Sequence, residues 1–380
     1  MAPITVVMSS QSHSRLPASF HRLSWSNLAA QSAEQIGLAA SPIVAVLALG
    51  AAEGESGILQ TMQTLPFLLL SFPAGVLADR TSRRRLMVIA ESVRAVSLLA
   101  VLVLAEFHAL TLLLLAVLGF IGAAGTVAYG VSAPSLIPAL VKPDQLAAAN
   151  GRLELARTAA FTGGPALGGA LVGWLGVVPA FAVAAALSLC AVALFAGLKE
   201  PPQPKLPPRH ALHDLREGAG FVWSHALLRP MLLTAVVFNS SPFVVMAVYA
   251  PYAVHHIGLN ATEIGLTLAT QGAGMIVGAL SAARLARAIP FGVMISLGPC
   301  SGATALALMT LTIWVPSFAL TMAAFFFLGL GPILWMIGTA TLRQTVTPGH
   351  MLGRVSATTI TATQGSRPFG AFIGAAVGAA

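Results

Sequence analysis

The sequence predicts an all-α polytopic membrane protein, from its composition, its long apolar segments and the placement of its charges. Hydrophobic residues make up 57% of the 380 residues and charged residues only 8%, against about 25% charged in a typical soluble domain. The apolar segments are long enough to cross a bilayer as helices, which takes about 20 residues each. This composition excludes an ordinary soluble enzyme.

Eleven apolar segments are long enough to span a membrane, which predicts eleven transmembrane helices. They lie at 24–49, 57–78, 86–105, 109–137, 149–175, 178–198, 229–254, 262–283, 290–312, 316–341 and 355–380.

The stretch "KEPPQPKLPPRHALHDLREG" between the sixth and seventh spans is polar and rich in proline. It predicts a linker followed by a short amphipathic helix. The predicted organisation is a cytoplasmic tail, a six-helix bundle, a cytoplasmic linker and a second helix bundle, at 1–22, 23–198, 199–228 and 229–380.

Lysine and arginine fall in alternate loops, which predicts the orientation of the chain. The loops between spans 2 and 3, 4 and 5, 6 and 7, 8 and 9, and 10 and 11 contain them. The opposite loops, near "GAAEGES", "EFHAL", "WLGVV", "HHIGLNATE" and "WVPSF", contain none. Because cytoplasmic loops retain basic residues, the N-terminus is predicted to be cytoplasmic. The net charge of +8 is thereby explained by topology, and no nucleic-acid partner is predicted.

The two halves of the chain carry related segments. "GVLADRTSRRR" at Gly75 corresponds to "GALSAARLARA" at Gly278, and "VKPDQLAAANGR" at Val141 corresponds to "VTPGHMLGRVSA" at Val346. Offsets of 203 and 205 residues indicate a duplicated six-helix unit. Parallel six-helix repeats around a central pathway are typical of transporters. Two such units would make twelve helices, so we expect a chain cut before its twelfth helix, with an eleven-span protein as the alternative.

Two motifs resemble those of the major facilitator superfamily. "GVLADRTSRR" is similar to the family's loop 2–3 signature, G-x-L-x-D-R-x-G-R-R, with Ser82 where glycine is usual. The matching residues are Gly75, Leu77, Asp79, Arg80, Arg83 and Arg84. "GPALGG", from Gly164 to Gly169, resembles the span 5 signature G-P-x-x-G-G of the family's antiporters. The resemblance covers nearly the whole chain and is nearest to the bacterial branch of siderophore and drug exporters.

The resemblance implies a major facilitator fold of two six-helix bundles in the bacterial inner membrane. It further implies secondary transport of a small molecule, with proton-coupled efflux of amphipathic substrates as the leading hypothesis and a monomer as the expected state. An uptake permease of the same fold is the alternative. A membrane-embedded enzyme and an inactive fragment are weaker ones. No cofactor is predicted, and no disulfide, because Cys190 and Cys300 both lie in apolar runs.

For the loop 2–3 motif the resemblance implies a conformational latch formed by Gly75, Asp79, Arg80, Arg83 and Arg84. The Asp79 carboxylate would pair with a nearby arginine and cap the positive end of span 11. The alternative is a short loop that carries orienting arginines and one solvated acid.

Glu34 is an acid about twelve residues into span 1, near the middle of the membrane. A charge at that depth is costly unless it is paired, hydrated or neutralised. We therefore predict a proton-coupling or substrate-binding role. In the alternative, Glu34 lies in a hydrated cleft and bonds to Gln31 or Gln35. Span 4 contains no charge, although many drug/proton antiporters of the family have an arginine there, so a proton relay must use other residues.

Three arginines also lie within spans. Arg94 follows Glu91, and Arg157 follows Glu154, at the i,i+3 spacing of a structural ion pair. Arg367 has no neighbouring acid, so its partner is predicted to be another helix or an anionic substrate.

The remaining candidates are a packing motif and a polar-aromatic group. Gly164, Pro165, Gly168 and Gly169 predict a tightly packed, bendable span 5 that prevents leakage, with ordinary helix packing as the alternative.

Aromatic and amide side chains of span 7 are candidates for substrate contact, with lipid-facing or interfacial positions as the alternative for the aromatics. Those assigned are Asn239, Tyr249 and Tyr252. His255 and His256 have no further ligands near them in sequence, so no metal site is predicted.

Overall fold

The computed structural model describes residues 17–142, 145–198, 211–348 and 351–379. Most of the predicted N-terminal tail and the proline-rich part of the linker lie outside these residues. Within the described ranges every regular element is helical. The helices are α1 (Ala18–Leu47), α2 (Glu53–Arg80), α3 (Arg83–Glu106), α4 (Leu112–Leu140), α5 (Leu146–Leu175), α6 (Val177–Ala196), α7 (Ala211–Ser224), α8 (Leu228–Tyr252), α9 (Ala261–Ala288), α10 (Phe291–Leu311), α11 (Phe318–Val346), α12 (Leu352–Gly365) and α13 (Arg367–Gly378).

Seven of the described helices contain segments long and apolar enough to cross a membrane, which makes this a multi-pass membrane protein. They are α3, α4, α6, α8, α9, α10 and α11. Helices α1, α2 and α5 are 28 to 30 residues long but carry more polar groups. The predicted all-helical membrane fold is confirmed.

Short polar or glycine-containing connections determine where the helices begin and end. The Ser82 hydroxyl accepts a hydrogen bond from the Arg85 backbone N–H at 3.2 Å and so caps α3. Asn260 and Glu263 form a reciprocal capping box at the start of α9. Gly176, with a φ of 89°, makes the turn between α5 and α6.

The span predicted at 355–380 is divided into α12 and α13 by Ser366. Pro368 has no backbone N–H and cannot donate back into α12, which explains the interruption. The short helix expected after the linker is α7. It packs on α12 through an ion pair of 2.8 Å between Arg354 and Glu217.

The helices pack as two bundles with corresponding partners. In the N-terminal bundle (α1–α6), α4 packs on α2 and α3, and α1 packs on α5. In the C-terminal bundle (α8–α13), α11 packs on α9 and α10 in the same way, and α8 packs on α13. Between the bundles, α5 packs on α9 while α2 packs on α13 and α8. This matching arrangement agrees with the duplication in the sequence, and it creates two seams between the bundles.

Candidate functional site

A cavity of about 70 Å³ lies inside the N-terminal bundle, between α1, α2, α3, α4 and α6. Most of its wall is apolar. The polar side chains that line it are those of Glu34, Ser41, Gln63, Arg94, Ser97 and Thr126. A volume of this size holds a few water molecules. The cavity is therefore suited to hydrating the polar groups in its wall.

Glu34 lies near the middle of α1 and faces this cavity, and its side chain is 13% exposed. Its Oε2 atom lies 3.6 Å from Nη2 of Arg94. That oxygen is buried and accepts no hydrogen bond from the described part of the chain. The Glu34 carboxyl group is thus close to a cation but is not tightly bound by it.

Arg94 of α3 is fixed by several hydrogen bonds and is 4% exposed. Its Nη1 atom donates to Oε2 of Glu91 at 2.8 Å and to the Ala30 carbonyl at 3.1 Å. Its Nη2 atom donates to Oγ1 of Thr126 at 2.6 Å. The predicted i,i+3 pair with Glu91 is present, and Arg94 also connects α1, α3 and α4.

Glu91 is fully buried and also accepts a hydrogen bond from Ser188 Oγ at 2.5 Å. One guanidinium group therefore serves two carboxyl groups, with Glu91 close and Glu34 more distant. This three-residue group (Glu34, Arg94 and Glu91) is called the acid–arginine triad below. Close to it, Tyr129 donates a hydrogen bond to Asn27, whose amide donates to the Leu153 carbonyl at 3.3 Å.

The link between Glu34 and Arg94 is the feature of this site that the sequence analysis missed. Span 4 has no arginine, but Arg94 from the adjacent α3 reaches Thr126 of α4. The spacing of Glu91 and Arg94 was the available signal, and it indicated a pair within one helix. It contained no information on which other helix the arginine would face.

Arg367 lies at the start of α13, where the last span is interrupted. Its guanidinium carbon is 5.4 Å from the ring centre of Phe67 in α2 and 5.3 Å from that of Phe243 in α8. It forms no hydrogen bond or ion pair with the described chain. Arg157, in contrast, forms its predicted pair with Glu154.

The span 5 motif packs α5 against two helices from different bundles. A Cβ atom added to Gly164 would clash with Gln35 of α1, and one added to Gly168 would lie 3.0 Å from the Ile36 carbonyl oxygen. A Cβ atom added to Gly169 would lie 2.5 Å from the Ala261 carbonyl oxygen of α9. Pro165 lies inside a continuous α5. The motif thus allows close backbone contact within and between the bundles.

The loop 2–3 motif is only partly described. Gly75, Asp79 and Arg80 belong to α2, but the side chains of Asp79 and Arg80 lie outside what the structure describes. Arg83 is half-buried at the start of α3. Arg84 donates a hydrogen bond to the carbonyl group of Ala196 at the end of α6. This contact of Arg84 stabilises the N-terminal bundle, since cations favour helix C-termini.

The predicted substrate contacts in α8 occupy different environments. Tyr249 is 2% exposed, its hydroxyl bonds to Thr267 and its ring packs on Phe325. The Tyr252 hydroxyl is 2.8 Å from Oγ1 of Thr312. Both tyrosines therefore pack inside the C-terminal bundle in this conformation, and their contact with a substrate stays a prediction. Asn239 is half-buried and donates to the Ala235 carbonyl at 2.8 Å.

A family model described as Major Facilitator Superfamily matches residues 23–371 of the chain. The chain belongs to the major facilitator superfamily. The predicted family is confirmed, and so is the prediction of a transporter family in place of an enzyme.

Two curated relatives of this superfamily member are named as exporters. The multidrug efflux pump Tap of Mycobacterium tuberculosis (strain ATCC 25618 / H37Rv) is 27% identical over 277 residues, covering 70% of this chain and 65% of the relative. The enterobactin exporter EntS of Escherichia coli O1:K1 is 26% identical over 286 residues, covering 74% of this chain and 67% of the relative. The chain thus spans about two thirds of the length of these relatives.

Solved structures share the fold at low sequence identity. The nucleoside transporter NupG (D323A mutant) aligns with a TM-score of 0.75 at 11% identity, covering 94% of this chain and 90% of that chain. A bacterial homologue of the iron transporter ferroportin, inward-facing, aligns with a TM-score of 0.69 at 17% identity, covering 95% and 96%. These alignments support the major facilitator fold.

Proposed function

We propose that this protein is a secondary transporter that exports small amphipathic molecules in exchange for protons, by alternating access between its two bundles. Family membership supports transport, and the names of both curated relatives support export. Under this proposal the protein works as a monomer in the bacterial inner membrane, with its N-terminus and its basic loops in the cytoplasm.

The observation that carries the proton-coupling part of the proposal is the unequal binding of the two acids in the acid–arginine triad. Two ionised carboxylates and one guanidinium would leave a net negative charge in a low-dielectric environment, which is unfavourable. A proton on one of the two carboxyl groups removes this net negative charge. Glu91 holds direct hydrogen bonds to Arg94 and Ser188, whereas Glu34 lies 3.6 Å from Arg94 and faces a cavity that can admit water. Glu34 is therefore the better candidate to exchange protons.

The packing between the bundles supports the alternating-access part of the proposal. Close contacts occur along α5 and α9 at Gly169 and Gly265, and along α2 and α13 at Gly57 and Ala375. These positions lie in the helix halves away from the arginine-rich loops. The two seams would close on that side in this conformation and separate when the bundles rock. The predicted latch at Gly75, Asp79, Arg80, Arg83 and Arg84 would act at the opposite side.

The test is proton release from proteoliposomes on addition of a cationic, a neutral and an anionic dye: ethidium, N-phenyl-1-naphthylamine and 1-anilinonaphthalene-8-sulfonate. We expect at least one dye to release protons through the wild-type protein, and Glu34→Gln to reduce that release at least tenfold, because glutamine cannot exchange a proton. Glu154→Gln is the matched control, since Glu154 is 57% exposed and paired with Arg157. Full proton release by Glu34→Gln would refute the assignment, and movement of protons into the liposomes together with the dye would indicate a proton-coupled importer.

A further inference from the structure

Arg367 lies between the two bundles, and no carboxylate of the described residues lies within ion-pair distance of it. It lies over Phe67 from the N-terminal bundle and over Phe243 from the C-terminal bundle, at 5.4 and 5.3 Å. No hydrogen bond or ion pair joins it to the described chain, and its Nε atom is buried without a hydrogen-bond partner. Phe67 also lines the cavity that Glu34 faces. Arg367 is therefore adjacent to the wall of that cavity.

Arg367 differs in its ion pairing from Arg94 and Arg157, the other two arginines within spans. Arg94 is paired with Glu91, and Arg157 is paired with Glu154. Glu34 interacts with Arg367 electrostatically. The cation within ion-pair distance of Glu34, however, is Arg94. Of the three arginines, Arg367 alone lacks a carboxylate in contact within the described chain.

The chemistry of arginine indicates which kind of group would satisfy the charge and the N–H donors of Arg367. A guanidinium group stays protonated in proteins, and an unpaired cation at membrane depth is costly. The two phenylalanine rings offset part of this cost through cation–π interactions. The rings carry no lone-pair acceptor, so they leave the N–H donors of the guanidinium, including the buried Nε, without a hydrogen-bond partner in the described chain. The N-terminus of α13, at the same place, also favours a negative charge.

We propose that Arg367 binds the anionic group of the transported molecule, a carboxylate, sulfonate or phosphate, while Phe67 and Phe243 pack against its apolar part. Arginine suits such groups because its N–H donors match two oxygens of one anion. This inference rests on the proposed function, since it takes the space between the bundles to be the substrate pathway. It assigns an amphipathic anion as the substrate class.

The test is equilibrium binding of two dyes that share a ring system and differ in charge. The anionic 1-anilinonaphthalene-8-sulfonate and the neutral N-phenyl-1-naphthylamine are titrated by fluorescence into the full protein in phosphatidylcholine nanodiscs, with empty nanodiscs subtracted. We expect Arg367→Gln to weaken the sulfonate at least tenfold and to leave the neutral dye within twofold, with Arg367→Lys in between. Arg229→Gln is the matched control, because Arg229 lies 4.8 Å from the ring centre of Trp223, outside this site, and it should change neither.

Equal loss of both dyes, or no change in either, overturns the inference. If Arg367→Gln fails to fold, the wild-type protein decides: sodium decanoate should displace the sulfonate, and decanol at the same concentration should not. If phosphatidylglycerol abolishes the difference between wild type and Arg367→Gln, the anion is a lipid headgroup and the substrate assignment is wrong. The dye titrations need no proton gradient, whereas the Glu34→Gln test measures proton release, so failure of proton coupling is distinguishable from failure of this site.

Discussion

The acid–arginine triad assigns different roles to two residues of the same type. Glu91 is fully buried and bound by Arg94 and Ser188, so it acts as the fixed counterion of the arginine. Glu34 lies at the cavity with a looser contact, so its charge can change with less disturbance. The difference follows from hydrogen bonding and access to water, and not from the residue type.

Replacement of Glu91 by glutamine should destabilise the protein more than replacement of Glu34. Removing one partner of a buried ion pair leaves an uncompensated charge and typically costs about 3 to 5 kcal/mol. Thermal unfolding in detergent should show a clearly lower Tm for Glu91→Gln and a smaller change for Glu34→Gln. Equal decreases in Tm would show that both acids hold the arginine to the same degree.

The sequence identified Glu34 as a candidate but not its partner. An acid in the middle of an apolar segment is recognisable from one helix alone. The contact with Arg94 depends on how α1 and α3 are rotated against each other, which residue spacing does not encode. Likewise, Arg367 stood out by lacking a neighbouring acid, whereas its position over Phe67 and Phe243 requires α2, α8 and α13 together.

At the scale of elements, the glycines of α5 set the distance to its neighbours. Gly164 and Gly168 adjoin α1, and Gly169 adjoins α9. Membrane helices gain stability from such close contact, because lipid supplies little hydrophobic drive for helices to associate. The same helix therefore holds its own bundle together and forms one seam with the other.

Gly169→Ala should impair transport, whereas Gly163→Ala should not. A methyl group at Gly169 would lie 2.5 Å from the Ala261 carbonyl oxygen and 2.6 Å from the Gly265 Cα atom, which would push α5 and α9 apart. Gly163 has no atom within 4 Å of an added Cβ atom, so it is the control in the same helix. We expect about a tenfold lower dye efflux for Gly169→Ala in proteoliposomes. Equal rates for both variants would show that the seam tolerates the extra volume.

The helices themselves followed from local properties of the sequence. Long apolar segments predicted the membrane spans, because burial in lipid requires apolar side chains along a whole helix. The interruption at Ser366 was not predicted, although Pro368 was a visible cause. Pro42, Pro66 and Pro165 lie inside continuous helices, so a proline alone does not identify a break.

At the scale of the whole molecule, the two seams between the bundles are formed by corresponding pairs of helices. In one seam α5 packs on α9, and in the other α2 packs on α13. Since α2 corresponds to α9 in the duplication, and α5 to the α12–α13 span, the contacts are related by the internal symmetry. A motion that closes one seam would act in the same way on the other, as a rocking mechanism requires.

Asp79→Asn should slow the transport cycle without weakening substrate binding. Under the latch proposal, the carboxylate stabilises the conformation closed at the basic loops, by about 0.3 to 2 kcal/mol for an acid at a helix N-terminus. Asparagine keeps the shape and removes the charge. Dye efflux rates should fall severalfold, while dye affinity in nanodiscs should stay within twofold of the wild-type value. A fall in affinity with an unchanged rate would contradict the latch.

Gly173 of α5 and Thr262 of α9 are in close contact, since a Cβ atom added to Gly173 would lie 2.6 Å from the threonine hydroxyl. A disulfide introduced at these two positions would link the bundles. The chain contains two cysteines, Cys190 and Cys300, and both are exposed. Replacing these two by serine leaves no thiol, so a cysteine pair introduced at 173 and 262 would be the whole thiol content of the protein. Oxidation would then hold the bundles in one arrangement and reduction would release them, which makes the rocking motion open to direct control.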